Sequence, residues 1–286
     1  MKTFIGTCPF KFAEHQPGRS VKLVRFEQYQ ARPEPPNGYG GGKTAWVDTL
    51  LFIFASDTSA GVAAVESGEG DAACAGASPE FSDPPKDHPD LKVQIVKPFS
   101  APASVLNKKK GLFTNIKLRQ AFLAALDMEA ILRAAYGHPE FYRLEASLSF
   151  KEEPWWTDVG RELYNHKDKE KAKRLLREAG YHGEPMRYMA EPGVSYRLAL
   201  ATKQQLEEAG FNVELQEMKL ATRVQRRDDP SLWDAYTINF SDRPDPTLHP
   251  AIRCDSPWSG WNRDPDFEKL LHTMATELQF EKRYRL

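Results

Sequence analysis

The segment SDRPDPT at residues 241–247 places three charged side chains close together. The carboxylates of Asp242 and Asp245 can bind a cation such as a free ammonium group, and the guanidinium of Arg243 can bind a carboxylate through two parallel hydrogen bonds. Two prolines restrict the backbone here, and the residues just before the segment predict a strand over 236–240. We therefore expect a constrained loop at the end of a strand that presents both signs of charge to a solute.

Other interpretations of this segment remain open from the sequence. Asp242 and Asp245 also fit a purely structural role, because Asp beside Pro commonly caps a turn. A hydrolase or transferase using the Asp242–Asp245 loop would instead need two catalytic groups with perturbed pKa values in one pocket. A non-catalytic interaction module, the third alternative, predicts exposed aromatic side chains in a flat apolar patch.

Two tryptophans follow the charged segment and are candidates for the walls of a binding site. Trp258 and Trp261 stand just before a helix that is predicted to begin at Asp264–Pro265. Aromatic side chains in this position can line a pocket, and they can equally pack beneath the loop. The adjacent Trp155 and Trp156 lie in an irregular connection, where covering the edge of a core is the more common role.

The sequence contains no clear motif for a metal, a cofactor or catalysis. Cys8, Cys74 and Cys254 form no CxxC pair, although a single disulfide among them stays open. His249 and Cys254 are the one close His/Cys pair, and two ligands do not make a metal site. The segment NGYGGGKT at 37–44 resembles a phosphate-binding loop, but Asn replaces its first Gly and no strand precedes it. We expect no cofactor, no metal and no enzyme activity.

The composition is that of an ordinary globular protein with room for two domains. Of the 286 residues, 41% are hydrophobic and 28% are charged. The 39 Lys and Arg residues nearly balance the 40 Asp and Glu residues. Electrostatics therefore offers no argument for binding to nucleic acid or to an anionic membrane.

Alternating strand and helix patterns predict an α/β fold with parallel strands covered by helices. The clearest pattern is a pair of short amphipathic helices between Thr114 and Gly137, with Asp127 as the cap of the second helix. Gly137 can end that helix in a left-handed conformation. The other expected elements are a hairpin around Pro17–Gly18, a buried strand over 46–54, a helix from 58 to 66 capped by Asp57, a short strand over 71–76, a helix after Asp168, strands over 186–191 and 212–218, and a helix over 195–211.

Several separated segments also carry a family resemblance. Asn107 and the segment LRQAFLAALDMEAIL at 118–132 are similar to a family hallmark, with Met128 where Arg is usual. GTCPF at 6–10 matches another motif, with Cys in place of Gly. SDTSAGVAAVESGEGDAA at 56–73 resembles a strand–helix–strand motif, with Gly in place of an apolar residue. These segments keep their order along the chain, and the family they resemble is the family 5 extracellular solute-binding proteins of ABC importers.

This resemblance implies a two-lobe α/β fold of the periplasmic-binding-protein type (class II, cluster C) that closes on a ligand between the lobes. Residues 1–98 would form part of lobe I and residues 99–286 most of lobe II, entered through a hinge crossing near 94–107. The architecture would be incomplete, because the chain resembles a piece of the family proteins that lacks both ends. The N-terminal sequence lacks the apolar run of a secretory signal, which fits a start inside the mature part of a lipoprotein or secreted precursor.

The resemblance also implies a function and a set of ligand-binding residues. In peptide-binding members of the family, a similar strand and loop supply an Asp that grips the N-terminus of the peptide, and Asp242 takes that place here. The implied protein is a periplasmic receptor, or one at the outer face of the cytoplasmic membrane. It would capture a peptide or peptide-like solute and deliver it to ABC permease subunits. The expected ligand-binding residues are Asp242, Arg243, Asn239, Trp258 and Trp261.

Asn239 departs from the family pattern, which has an aromatic residue at that position. Peptides, opines, sugars and metal chelates all occur as ligands in this family, so the identity of the solute stays open. The oligomeric state stays open as well.

Overall fold

The structure is a computed structural model that describes residues 6–36, 40–55, 57–74, 88–97, 100–241, 243, 245–254 and 257–286. The chain divides into two compact units, Met1–Gly76 and Ala77–Leu286. Each unit is described by itself below. In the described residues, no helix is both long enough and apolar enough to cross a membrane.

The first unit contains a three-stranded antiparallel sheet and one helix. The sheet has the order β1-β2-β3, and Gly18, with φ +70°, lies in the tight turn between β1 and β2. The predicted hairpin is therefore confirmed. Helix α1 begins as expected at Asp57, whose carboxylate accepts a hydrogen bond from the Ala60 amide at 2.9 Å. The elements are β1 (Phe10–Gln16), β2 (Ser20–Arg25), β3 (Thr49–Ile53) and α1 (Thr58–Glu66).

Three predictions for this unit are wrong. The strand–helix–strand pattern over 46–76 predicts parallel strands, but β3 pairs antiparallel to β2. The strand predicted over 46–54 forms as β3, but it is an exposed edge strand, and Ile53 is 61% exposed. An apolar run signals burial only if something covers it, and none of the described residues buries these side chains. The strand expected over 71–76 is absent from 71–74, where small alanine side chains offer little surface to bury, and 75–76 lie outside the described residues.

The second unit is built on a four-stranded mixed sheet of order β4-β7-β5-β6. Strands β5, β6 and β7 are parallel, and β4 runs antiparallel to β7 from the pair Ser100 and Ser241 to the pair Leu106 and Ala235. The strand–helix–strand order predicted over 186–218 is confirmed, and its two strands, β5 and β6, are parallel. The strands are β4 (Ser100–Leu106), β5 (Pro185–Ala190), β6 (Asn212–Glu217) and β7 (Ala235–Ser241).

Helices of the second unit bury the larger hydrophobic core against this sheet. This core joins Phe113 and Phe122, whose rings meet edge to face at 5.6 Å, to Tyr188 of β5 and Leu206. Apolar burial of this extent is the main stabilising contribution in a domain of this size. The helices are α2 (Ile116–Ala125), α3 (Met128–Tyr136), α4 (Lys169–Glu178), α5 (Val194–Glu208), α6 (Leu220–Arg227), α7 (Pro265–Thr276) and α8 (Phe280–Arg285).

The predicted helix pair is confirmed as α2 and α3. The Asp127 carboxylate accepts from the Ala130 amide at 3.1 Å, and Gly137 ends α3 with φ +75°. A contact from a distant part of the chain completes the junction, because Asn165 Oδ1 accepts from the Met128 amide at 2.8 Å.

The predicted hinge crossing near 94–107 overlaps a paired strand. Residues 94–97 lie outside any helix or strand, and 98–99 lie outside the described residues. The remainder forms β4, which pairs with β7 along its whole length. The proposed lobe boundary at residues 98 and 99 stays a prediction.

Candidate functional site

The candidate site lies at the carboxyl ends of the parallel strands of the second unit. In open α/β sheets, ligands bind at this edge, because loops from several strands converge there. Ser241 is the last residue of β7 and pairs with Ser100, the first residue of β4. The charged segment found in the sequence therefore leaves the sheet at the edge where a binding site is expected.

A small recess opens beside the end of β7. It encloses about 290 Å³, including the open solvent at its mouth. The space inside it that a water-sized sphere can occupy is about 10 Å³, roughly what one water molecule needs, so the recess is shallow and far smaller than a complete small-molecule pocket. The described residues that line it are Ala101, Leu148, Ser149, Phe150, Phe240, Ser241, Arg243, Pro246 and His249.

Arg243 is the charged side chain that lines this recess. It is exposed, and within the described part of the chain no hydrogen bond or ion pair engages its guanidinium. A guanidinium in that state offers its paired N–H donors to a carboxylate from outside. Asp242, the residue expected to grip an ammonium group, lies outside the described residues.

Asp245 makes contacts of two kinds within the protein. Its Oδ1 accepts hydrogen bonds from Thr247, from the amide at 2.9 Å and from the hydroxyl at 2.7 Å. Its Oδ2 lies 2.5 Å from Nη2 of Arg283. Burial raises the pKa of this carboxyl, but the bonds from Thr247 and Arg283 outweigh burial, so the pKa lies below its usual range. The turn-capping alternative holds for Asp245.

Asn239 lies on the exposed side of β7, across from Pro102 of β4. It is not among the described residues that line the recess. Its assignment as a ligand-binding residue stays a prediction.

Trp258 and Trp261 pack against a second, smaller hydrophobic cluster on the sheet, formed by the buried residues Val105, Met189, Trp233, Tyr236 and Phe240. The Trp258 ring lies 5.5 Å from the ring of Phe240 and 6.3 Å from that of Tyr236. Trp261, with φ +46°, stacks on the buried Trp233 at 5.6 Å. Both tryptophans are half-buried and neither is among the described residues that line the recess. These contacts favour packing beneath the loop, and the assignment of both as ligand-binding residues stays a prediction.

Sequence reasoning did not identify several residues that line the recess. Ser149 and Phe150 come from the irregular connection after α3, far from β7 in the sequence, and no local pattern indicates their approach. The sequence indicates His249 only as half of a close His/Cys pair. Its Nδ1 accepts from the Ala251 amide at 3.2 Å, and its ring lies 4.7 Å from the Phe240 ring.

Buried hydroxyl groups support β7 from both sides. The Tyr188 hydroxyl lies 2.6 Å from Ser104 Oγ and accepts from Thr237 Oγ1 at 3.2 Å. On the opposite face, the Tyr236 hydroxyl lies 2.7 Å from Ser259 Oγ. Burial raises the pKa of Tyr236 to about 12, against the opposing effect of its hydrogen bond to Ser259. Both tyrosines therefore stay neutral near pH 7, and they hold the strand in place.

The described residues show neither a pair of carboxylates in the recess nor a cluster of metal ligands. The described lining of the recess contains no Asp or Glu, so it holds no pair of carboxylates. Across the described ranges, no three His, Cys, Asp or Glu side chains come close enough to hold a metal ion. The arrangement can bind a solute through an exposed guanidinium, hydroxyls and an aromatic wall.

Comparisons with known proteins agree with the expectation from the sequence. Residues 1–256 match the family described as "Bacterial extracellular solute-binding proteins, family 5 Middle". The chain is 30% identical to the "Probable peptide ABC transporter periplasmic-binding protein y4tO" of Sinorhizobium fredii, covering 93% of this chain and 53% of that protein. It is 25% identical to the oligopeptide-binding protein AppA of Bacillus subtilis, covering 98% and 53%.

The fold is similar to that of a solved periplasmic binding protein. The structure of Haemophilus influenzae OppA in complex with RPPGFSPFR superimposes with a TM-score of 0.77 at 17% identity, covering 98% of this chain and 55% of that one. The expected α/β periplasmic-binding-protein fold is thus confirmed for about half of that architecture. The chain spans about half the length of the relatives it matches, and it belongs to the family 5 bacterial extracellular solute-binding proteins.

Proposed function

We propose that this chain is part of a receptor of an ABC importer that captures a peptide or peptide-like solute and delivers it to permease subunits at the membrane. The observation that carries the proposal is the Arg243 guanidinium in the recess at the carboxyl end of β7. It is exposed and has no hydrogen-bond or ion-pair partner among the described residues. Family membership supports it, since two relatives are named as peptide-binding proteins. The periplasm, or the outer face of the cytoplasmic membrane, is the corresponding location.

The proposed recognition uses the two ends of a zwitterion. The Arg243 guanidinium would bind a carboxylate of the solute through two parallel hydrogen bonds. Asp242 would bind the ammonium group, as its match to the family motif indicates. Binding would shift the receptor toward a closed form only through contacts that the open form lacks. No step of this function changes the solute chemically.

The first test is calorimetric titration of the protein with a pool of short peptides, beside the same pool with acetylated N-termini. Micromolar binding corresponds to about −8 kcal/mol. We expect acetylation and the Asp242→Asn variant to weaken it by a similar factor, equivalent to ~2–5 kcal/mol, because each removes one partner of a desolvated charge pair.

A second titration tests whether Arg243 binds the carboxylate of the peptide. A C-terminally amidated pool should bind more weakly to the wild type, and Arg243→Gln should lose the distinction between amidated and free peptides. Arg161→Gln is the matched control, because Arg161 is exposed and its side chain has no ion-pair partner in the described part of the chain. If the folded protein binds no peptide, the peptide assignment fails and sugars, opines and metal chelates become the next candidates.

A further inference from the structure

The side chain of Arg283 connects four separate parts of the second unit. Its Nε donates to the Met274 carbonyl near the end of α7 at 2.7 Å, and its Nη2 lies 2.5 Å from Asp245 after β7. Its guanidinium also lies over the Trp155 ring, 4.9 Å from the ring centre. Arg283 itself stands on the short helix α8.

Two other residues of α8 contact the connection that contains Trp155 and Trp156. The Trp155 ring lies 5.0 Å from that of Phe280, the first residue of α8. The Tyr284 hydroxyl donates to the Trp156 carbonyl at 2.6 Å. Helix α8 is therefore attached to the connection that contains both tryptophans, and this attachment orients Arg283 toward Asp245.

The pair between Arg283 and Asp245 differs from the exposed ion pairs of this protein. The two side chains are only 18% and 24% exposed, so solvent screens their interaction less than that of surface pairs. Asp245 uses its other oxygen to organise the turn at Pro246–Leu248. One carboxylate thus joins the C-terminal helix to the turn beside the recess.

We propose that Arg283 is a positioning residue of the candidate site, which holds Asp245 and so orders the loop at 245–249 beside the recess. Asp245 lies two positions after Arg243, and the turn that it caps contributes Pro246 and leads to His249 at the recess. The expected effect of Arg283 on ligand binding rests on the proposed function. The ordering of the loop is measurable without any ligand.

Hydrogen–deuterium exchange in the segment 245–250 is the measurement that needs no ligand. Arg283→Gln should raise its exchange rate tenfold or more, because it removes a charge-assisted hydrogen bond that holds the turn. Arg283→Lys should restore part of the protection. Arg285→Gln removes the same charge from an exposed position of the same helix and should leave the segment unchanged.

Titration with the short-peptide pool measures the consequence for binding. Arg283→Gln should weaken binding about tenfold, and Arg283→Lys less. Asp245→Asn retains an oxygen for the turn but loses the charge, so its effect should not add to that of Arg283→Gln in the double variant. Far-ultraviolet circular dichroism of each variant shows that the fold persists.

Each outcome decides a separate statement. Unchanged exchange in Arg283→Gln would overturn the proposal whatever the peptides do. Faster exchange with wild-type affinity would limit Arg283 to a structural role and overturn its part in binding. If the wild type binds no peptide while exchange still rises in Arg283→Gln, the proposed function fails and the ordering of the loop by Arg283 stands.

Discussion

At the scale of single residues, the buried side chain of Asn107 makes four hydrogen bonds. Its buried amide donates to the carbonyls of Pro230 and Trp233 at 2.8 and 2.9 Å. Its Oδ1 accepts from the amides of Lys109 and Lys110, each at 3.1 Å. The side chain thereby attaches the end of β4 to the segment that enters β7, and the family motif that contains Asn107 has a structural explanation.

Replacing Asn107 by Ala should destabilise the protein by about 3 kcal/mol. The change leaves buried carbonyl groups without donors, and an unsatisfied buried polar group costs about 1–3 kcal/mol. Urea denaturation measures the difference in the free energy of unfolding. Asn262→Ala is the control and should cost less than about 1 kcal/mol. Asn262 is less buried, and among the described residues it donates to the Ile252 carbonyl at 3.4 Å and to the Cys254 sulfur at 3.3 Å. Equal losses in both variants would contradict this role.

The ion pair between Arg143 and Glu152 predicts a dependence of stability on acid pH. Two guanidinium nitrogens of Arg143 donate to the carboxylate at 2.6 and 2.7 Å, and these bonds lower the pKa of Glu152 from 4.5 to about 2. A carboxyl whose pKa is lower in the folded state stabilises that state above its unfolded pKa. This contribution is complete above pH 4.5 and is lost as the pH falls toward 2.

The comparison of wild type with Glu152→Gln across this range tests the pair. The wild type should be the more stable protein at neutral pH, and the difference in urea midpoint should shrink between pH 4.5 and about 2. Glu162→Gln controls for the loss of a surface carboxylate, because Glu162 makes no ion pair in the described ranges. A difference that stays the same at every pH would refute the assignment.

At the scale of elements, local patterns predicted the helices well. Helix α3 depends on a cap, an apolar stripe and a terminating glycine, and all three are encoded within a few residues of Asp127 and Gly137. The burial of β3 could not be predicted in this way. An apolar strand at the edge of a sheet has the same sequence pattern as one at its centre, and only the covering elements distinguish them.

The candidate site shows the same limit of prediction. The end of β7 and the charges of Arg243 and Asp245 could be predicted from a strand followed by a proline-rich loop. The partner of Asp245 could not, because Arg283 stands on a different element and no periodicity connects the two. The packing of Trp258 on Phe240 likewise depends on tertiary structure.

The cap of α3 offers a test at this scale. Asp127→Ala should destabilise the protein by about 1–2 kcal/mol, because it removes the acceptor for the Ala130 amide and the partner of Lys167 at 3.1 Å. Asp127→Asn keeps a capping oxygen and should cost less. Chemical denaturation of both variants, beside the exposed Asp158→Ala, measures the effect, and an Asn variant as unstable as the Ala variant would speak against capping.

At the scale of the whole molecule, the apolar surface of β3 is the main feature without a partner in the described residues. Leu51 and Ile53 share one face of the strand and are 56% and 61% exposed. Exposed, apolar edge strands promote association with other chains, and charges at such positions oppose it.

We expect Leu51→Lys together with Ile53→Lys to reduce self-association. Light scattering coupled to size-exclusion chromatography at matched concentrations measures the average mass. The control adds the same two charges to β1, as His15→Lys with Gln16→Lys, where both side chains are already exposed and polar. An equal reduction in both double variants would show that net charge, and not the apolar strand, determines the association.

The distribution of buried residues between the two units leads to the last prediction. Both hydrophobic clusters consist of residues from the second unit, from Ala103 onward. No residue of β1, β2, β3 or α1 is fully buried. Since buried apolar surface is the dominant favourable contribution to folding, the stability of the chain should reside in residues 77–286.

A chain limited to Ala77–Leu286 should therefore fold and unfold in one cooperative transition. We expect its thermal midpoint within about 5 °C of that of the longer chain, a shift that corresponds to roughly 1–2 kcal/mol for a domain of this size. Calorimetry measures the midpoint, and circular dichroism verifies the α/β content. Broad, non-cooperative melting of the shorter chain would mean that the first unit contributes to the core, contrary to the burial pattern of its strands and helix.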